Sequence, residues 1–116
     1  MALESIDRLL FARRSPEYDC LDLACEAWQE LTGEDIRARL GELLGRAGRK
    51  IGATRSSFTR LREIADPCLV VFHSDRGDPH VGVYIRGRVL HLLGRSPEFM
   101  ELEVASRGFT KIRYFR

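Results

Sequence analysis

Near Pro67 the hydrophobic period of the chain changes, and that change constrains the fold more than any other feature of the sequence. Before it, apolar residues recur at helical spacing; after it, they fall in short runs and alternations of the kind strands carry. Leu3, Ile6, Leu9 and Leu10 predict a helix over Ala2 to Arg13, interrupted by Ser15-Pro16. A second helix is predicted from Asp19 to Leu31, with Leu21, Ala24, Cys25, Trp28 and Leu31 as its buried stripe. Asp19 suits its N-cap, Asp22 lies three residues on in the first turn, and Gly33 suits the C-terminal stop. A third helix is predicted over Glu34 to Ala47, then a basic loop from Gly48 to Ser57 and a helical turn around Phe58 to Ile64. Beyond Pro67, Cys68 to Phe72 reads as a strand, followed by the loop Ser74 to Pro79. His80 to Ile85 and Val89 to Leu93 flank Arg86-Gly87 as a hairpin, and Phe99 to Val104 and Thr110 to Phe115 read as further strands. Helices first and an antiparallel meander second make an α+β domain.

With 116 residues, the chain is expected to form one domain. No apolar run approaches the roughly 20 residues of a membrane helix, and the first residues lack the pattern of a signal peptide. Three cysteines, an odd number, fit reduced thiols better than a disulfide framework. A net charge of +2 conceals two blocks. Ser15 to Asp35 holds seven acids and no Lys or Arg, whereas Ile36 to Arg62 holds eight bases and one acid, Glu42. Such blocks face each other or solvent, and net charge alone names no partner.

Cys20 follows directly on the predicted N-cap of the second helix. Free N–H groups and the positive dipole end favour a thiolate there, while the carboxylates of Asp19 and Asp22 oppose it. A nucleophilic cysteine at this point needs an imidazolium beside it. The hairpin offers one. Side chains alternate along a strand, so His80, Gly82 and Tyr84 share a face. A two-residue turn at Arg86-Gly87 pairs Ile85 with Arg88 and Gly82 with His91. His91 then stands on the His80 face, one diagonal step away, with space above Gly82. His80 would act as base toward Cys20 and His91 would orient it, the logic of a nucleophile–base–orienter triad.

Other readings use the same residues. Cys25 falls in the apolar stripe and Cys68 opens an apolar strand, so both read as core; His73 carries no further signal. Cys20 with Cys25, or Cys68 with His73, have four intervening residues, a loose spacing for zinc. The bases between Arg37 and Arg62 could meet phosphates, but no aromatic interleaving or helix-turn-helix pattern accompanies them.

Tyr18-Asp19-Cys20 leading into an amphipathic helix (YDCLDLACEAWQELTG) resembles the nucleophile segment of NlpC-type cell-wall cysteine peptidases. ADPCLVVFHSDRGDPHVGVYIRGRVLHL resembles that family's second half, most closely at His80-Val81-Gly82-Val83-Tyr84 joined to His91. The resemblance runs from about Pro16 to Leu93. It implies a reduced papain-like fold, a cysteine-bearing helix packed on an antiparallel sheet. It also implies Cys20 as nucleophile, His80 as base and His91 as third residue, with Tyr18, Asp19 and Gly82 at the substrate. The implied reaction is hydrolysis of the bond between γ-D-glutamate and a diamino acid in peptidoglycan stem peptides, with neither cofactor nor metal. The opening of the helix also resembles members from phage tail-assembly modules, which implies tail proteins as partners and a site in the cytoplasm or in a phage-like particle. No nucleic acid and no membrane are expected as partners. Many relatives carry Ser-Gly after the cysteine, where this chain has Leu21-Asp22. A catalytically silent wall-binding or tail domain of the same fold is the alternative, and an amidase or acyltransferase is a further one.

Overall fold

The structure, a computed structural model, describes residues 3–45, 58–75 and 77–116. Its first half holds the helices α1 (Leu3–Leu9), α2 (Cys20–Thr32) and α3 (Arg37–Leu43). Its second half holds strands β1 (Arg60–Leu61), β2 (Cys68–His73), β3 (His80–Ile85), β4 (Arg88–His91) and β5 (Glu98–Met100), then the short helix α4 (Leu102–Ala105) and strand β6 (Lys111–Phe115). The strands form one antiparallel sheet in the order β1-β6-β2-β3-β4-β5, so the domain is α+β. The predicted basic loop from Gly48 to Ser57, and the predicted end of the third helix at Arg46 and Ala47, lie outside the described residues.

α2 begins and ends where its capping residues place it. The Asp19 side chain accepts from the Leu21 amide at 3.0 Å, and the Asp22 side chain accepts from the Asp19 amide at 2.8 Å. This is a capping box built from two aspartates, satisfying N–H groups the helix ladder cannot reach. At the other end Gly33 takes the left-handed conformation (φ 80°) and donates its amide to the Gln29 carbonyl. The buried side of α2 is wider than one stripe: Leu23 and Ala27 are buried along with Leu21, Ala24, Cys25 and Trp28. The helix packs on β3 and β4 while α1 and α3 flank it, so residues on its shoulders are covered too.

Alternation along the strands sorts the sheet into two apolar layers. Leu69, Val71, Val81, Val83 and Leu90 face the helices and join Ile6, Leu23, Trp28 and Leu40 in the main core. Cys68, Val70, Phe72 and Val89 face the other way, where Ala105 of α4 and the partly buried Leu61, Ile64 and Phe109 pack on them. Cys20, Cys25 and Cys68 are joined in no disulfide, and all three are buried.

Four expectations need correction. The first helix ends at Leu9 rather than Arg13: the amides of Leu10, Phe11 and Ala12 bond three residues back, and the Arg14 amide then reaches the Arg95 carbonyl. The segment Phe58 to Ile64 is no helical turn. Phe58 enters the helix-side core and Leu61 the opposite layer, while Arg60 and Leu61 pair with Phe115 and Tyr114. The strand expected over Phe99 to Val104 stops at Met100, which pairs with Val89 near the start of β4; α4 follows. The sheet is a meander only from β2 to β5, because β6 returns across it to pair with β2 on one side and β1 on the other.

The acidic and basic blocks meet in part. Arg37 pairs with Asp22, and Arg39 pairs with Glu34 at 3.3 Å. The first pair joins α3 to α2 and the second joins α3 to the turn after α2, and each is worth little in stability.

Candidate active site

The hairpin fixes the two histidines. Arg86 (φ 51°) and Gly87 (φ 81°) both take positive φ, which a two-residue hairpin turn of this hand requires. The register that results pairs Ile85 with Arg88 and Gly82 with His91. His80 and His91 therefore share a face, diagonal to one another, and His80 Nε2 lies 2.8 Å from His91 Nδ1. Their ring centroids are 5.0 Å apart. Both residues are buried, at 6% and 2% exposure.

Gly82 is what lets His91 sit there. A Cβ at Gly82 would stand 2.7 Å from Val89 Cγ1 and 3.0 Å from His91 Cβ, closer than real contacts permit. Aromatic rings close the same face. Phe109, from the turn before β6, stacks on His80 with ring planes 5° apart and centroids 5.6 Å apart. Phe72, paired with His80 across the strands, lies 5.3 Å from the His80 ring and 6.1 Å from the His91 ring. This apolar cover holds His91 below its ordinary pKa by desolvation, against a smaller opposing effect from Glu98. His91 is thus the neutral partner at neutral pH. Its Nε2 is buried with no hydrogen-bond partner among the described residues.

Cys20 arrives from the other layer. Ser15 and Tyr18 exchange backbone hydrogen bonds at 3.0 and 3.1 Å, turning the chain into the capping box, and Cys20 is the first residue of α2. At this end of the sheet, Cys20 and His80 line one cavity of about 230 Å³, together with Arg14, Asp78, Pro79 and Leu93. Arg14 is held at the rim by the carbonyls of Leu92 and Leu93, both at 3.3 Å. The cavity thus offers a thiol, an imidazole and one side chain of each charge. Two larger cavities lie elsewhere, one beside Tyr18 and Glu26 and one between β1 and β6.

The structure thus brings Cys20 and His80 to one cavity and His91 behind His80. Asp19 is bound up in the cap and does not line that cavity. Gly82 makes room within the sheet for Val89 and His91. Tyr18 lines a different cavity, its hydroxyl donating to Glu26; burial and that carboxylate push its pKa up. Of the positions that the resemblance places at the substrate, Tyr18, Asp19 and Gly82 do not line this cavity, whose lining is completed by Arg14, Asp78, Pro79 and Leu93. Asp78-Pro79, next to His80, was legible from adjacency; Arg14, 78 residues from the Leu92 carbonyl it holds, left no local signal.

Leu21 is buried in the helix-side core and Asp22 completes the capping box, so the pair after the cysteine turns away from the cavity. Among the described residues no group of three or more His, Cys, Asp or Glu side chains is arranged to hold a metal ion, and no helix is long and apolar enough to cross a membrane. No protein-family model, curated protein or solved structure matched the chain in comparison.

Proposed function

We propose that the protein is a cysteine peptidase of the NlpC cell-wall type, with a reduced papain-like fold and a Cys20–His80–His91 triad. The observation that carries this reading is the 2.8 Å bond between His80 Nε2 and His91 Nδ1, with His80 and Cys20 lining one cavity. Because Nε2 of His80 is engaged by His91, Nδ1 is the ring nitrogen left to serve the thiol. In this mechanism His91 Nδ1 is the acceptor of that bond, so that His80 carries its proton on Nε2 and is basic at Nδ1.

The reaction is acyl transfer. His80 takes the Cys20 proton, and the thiolate adds to the scissile carbonyl to give a tetrahedral oxyanion. The amide of Cys20, at the first position of α2 and outside the i→i−4 ladder, donates to that oxygen. Collapse breaks the C–N bond as His80 Nδ1–H protonates the departing amine. Water, deprotonated by His80, then releases the acyl group and restores the thiol. His91 holds the ring through both steps. No metal or organic cofactor enters this scheme.

The substrate proposed is a peptidoglycan stem peptide cut between γ-D-glutamate and the diamino acid, reached from the cytoplasm or from a phage-like particle. Arg14 and Asp78 suit a ligand that carries both a carboxylate and an amine. Incubation with purified muropeptides, followed by mass spectrometry of the fragments, tests the reading. Cleavage at that bond, lost in Cys20→Ala with the fold intact, is expected. Cleavage retained by Cys20→Ala sinks the nucleophile assignment; wall binding without cleavage by the native chain assigns a silent domain instead.

A further inference from the structure

A second site stands apart from the cysteine, where the short edge strand β1 ends beside β6. A cavity of about 460 Å³ is lined there by Arg60, Leu61, Arg62, Ile112, Arg113 and Tyr114. Three of its six lining residues are arginines and none is acidic. Among the described residues the ion pairs join Arg8 to Glu30, Arg37 to Asp22 and Arg39 to Glu34, so none neutralises this group. Glu63, next in sequence to Arg62, does not line the cavity.

The register explains the crowding. β6 pairs Lys111 with His73 and Arg113 with Val71, while β1 pairs Arg60 with Phe115. Paired residues share a face and alternate residues return to it, so His73, Lys111, Arg113 and Arg60 stand on one side of the sheet. Their charges reach a common point: His73 is held below its ordinary pKa by burial first, then by Arg113, Lys111 and Arg60.

Arg113 Nε, on a residue lining the cavity, is buried with no hydrogen-bond partner among the described residues, as is Nε2 of His73, which shares its face of the sheet but does not line the cavity. A guanidinium N–H only donates, and a buried donor left without an acceptor is costly. Like charges gathered around such a donor call for an acceptor that is also an anion. Guanidinium forks match the oxygens of a phosphate group, and three of them exceed the charge of a single carboxylate.

We propose that the cavity between β1 and β6 binds a phosphate group carrying two or more negative charges, as in a phosphomonoester or a diphosphate. Arg62 and Arg60, exposed at the mouth, capture the anion, and Arg113 holds it from within. This site lies on the β1–β6 edge, and its ligand does not depend on the chemistry proposed for Cys20.

Titration calorimetry with inorganic pyrophosphate, at constant ionic strength, tests it on the full chain. One-to-one binding is expected, about tenfold weaker in Arg62→Gln and in Arg113→Gln. Arg107→Gln, an exposed cation that does not line the cavity, should leave the affinity unchanged. Circular dichroism of Arg113→Gln guards against a folding defect, and Arg62, being exposed, can be replaced without disturbing the core. No binding, or equal weakening by Arg107→Gln, overturns the proposal. Binding by pyrophosphate assigns a compact phosphate site; binding only by a long phosphodiester polymer, with pyrophosphate inert, also overturns it.

Discussion

His80 Nε2 meets His91 Nδ1 at 2.8 Å in a pocket of the sheet that Phe72 and Phe109 close against water. One proton lies between the two nitrogens, and the proposed mechanism requires it on His80 Nε2 with His91 Nδ1 accepting. On the proposed mechanism His91 is a positioning residue, acting on the substrate only through its neighbour. His91→Ala should lower kcat by about a hundredfold with little change in KM. His91→Asn, whose amide oxygen can accept the same bond, should recover part of the loss. Steady-state kinetics on the proposed muropeptide substrate separates the two.

Acid should unfold the protein partly through the buried His91 and the half-buried His73. His91 and His73 both have folded-state pKa values below those of the unfolded chain. Between those values the unfolded state binds more protons, so stability rises with pH. The contribution is complete above the unfolded value of about 6.5 and is lost as pH falls through the folded one. Urea midpoints between pH 7.5 and 4.5 should decline, and His91→Phe should decline less steeply over the same range.

The Gly82 position tests the close strand contact. A methyl group there meets Val89 and His91 at 3.0 Å or less, and the Leu90 carbonyl at 3.0 Å. The backbone cannot yield without moving β4. Gly82→Ala is expected to destabilise by about 1–3 kcal/mol, the usual cost of overpacking, and to displace His91 from His80. A native midpoint in urea together with a native rate would show that the sheet yields without cost.

The cap on α2 should matter to both stability and reactivity. Asp19→Ala removes the acceptor for the Leu21 amide. A loss of about 1 kcal/mol is expected, with fraying at the first turn, where Cys20 sits. Hydrogen exchange at the Leu21 and Asp22 amides, compared with native protein, checks this directly.

Much of this architecture was legible in the residues. The Asp19 and Gly33 caps framed α2, and Arg86-Gly87 set the hairpin register that brings His91 to His80. Local rules sufficed because each feature is decided within a few residues. What escaped was decided at a distance. Phe58 to Ile64 has helix-compatible spacing, yet β6 offers Arg60 and Leu61 an edge to pair with. Strand β5 ends because its partner β4 is short, which no pattern in Phe99 to Val104 records. Phe109 reaches His80 from far along the chain, and Arg14, though near Cys20 in sequence, is fixed at the rim by the distant carbonyls of Leu92 and Leu93. Tyr18 went the other way: its place near the cysteine in sequence did not put its ring in the cavity, because its hydroxyl donates to Glu26 on α2 beside a different cavity.

The central claim is that Cys20 is a thiol activated by His80, and the pH dependence of alkylation at each cysteine tests it without knowledge of a substrate. Cys25 and Cys68 serve as internal references, since burial pushes the Cys25 thiol up to about 11 and raises that of Cys68. Mass spectrometry after brief iodoacetamide treatment at pH 6 should find Cys20 modified well ahead of the other two, and His80→Ala should abolish that lead. Modification of Cys20 no faster than of Cys25 and Cys68, or a lead that persists in His80→Ala, would contradict the claim.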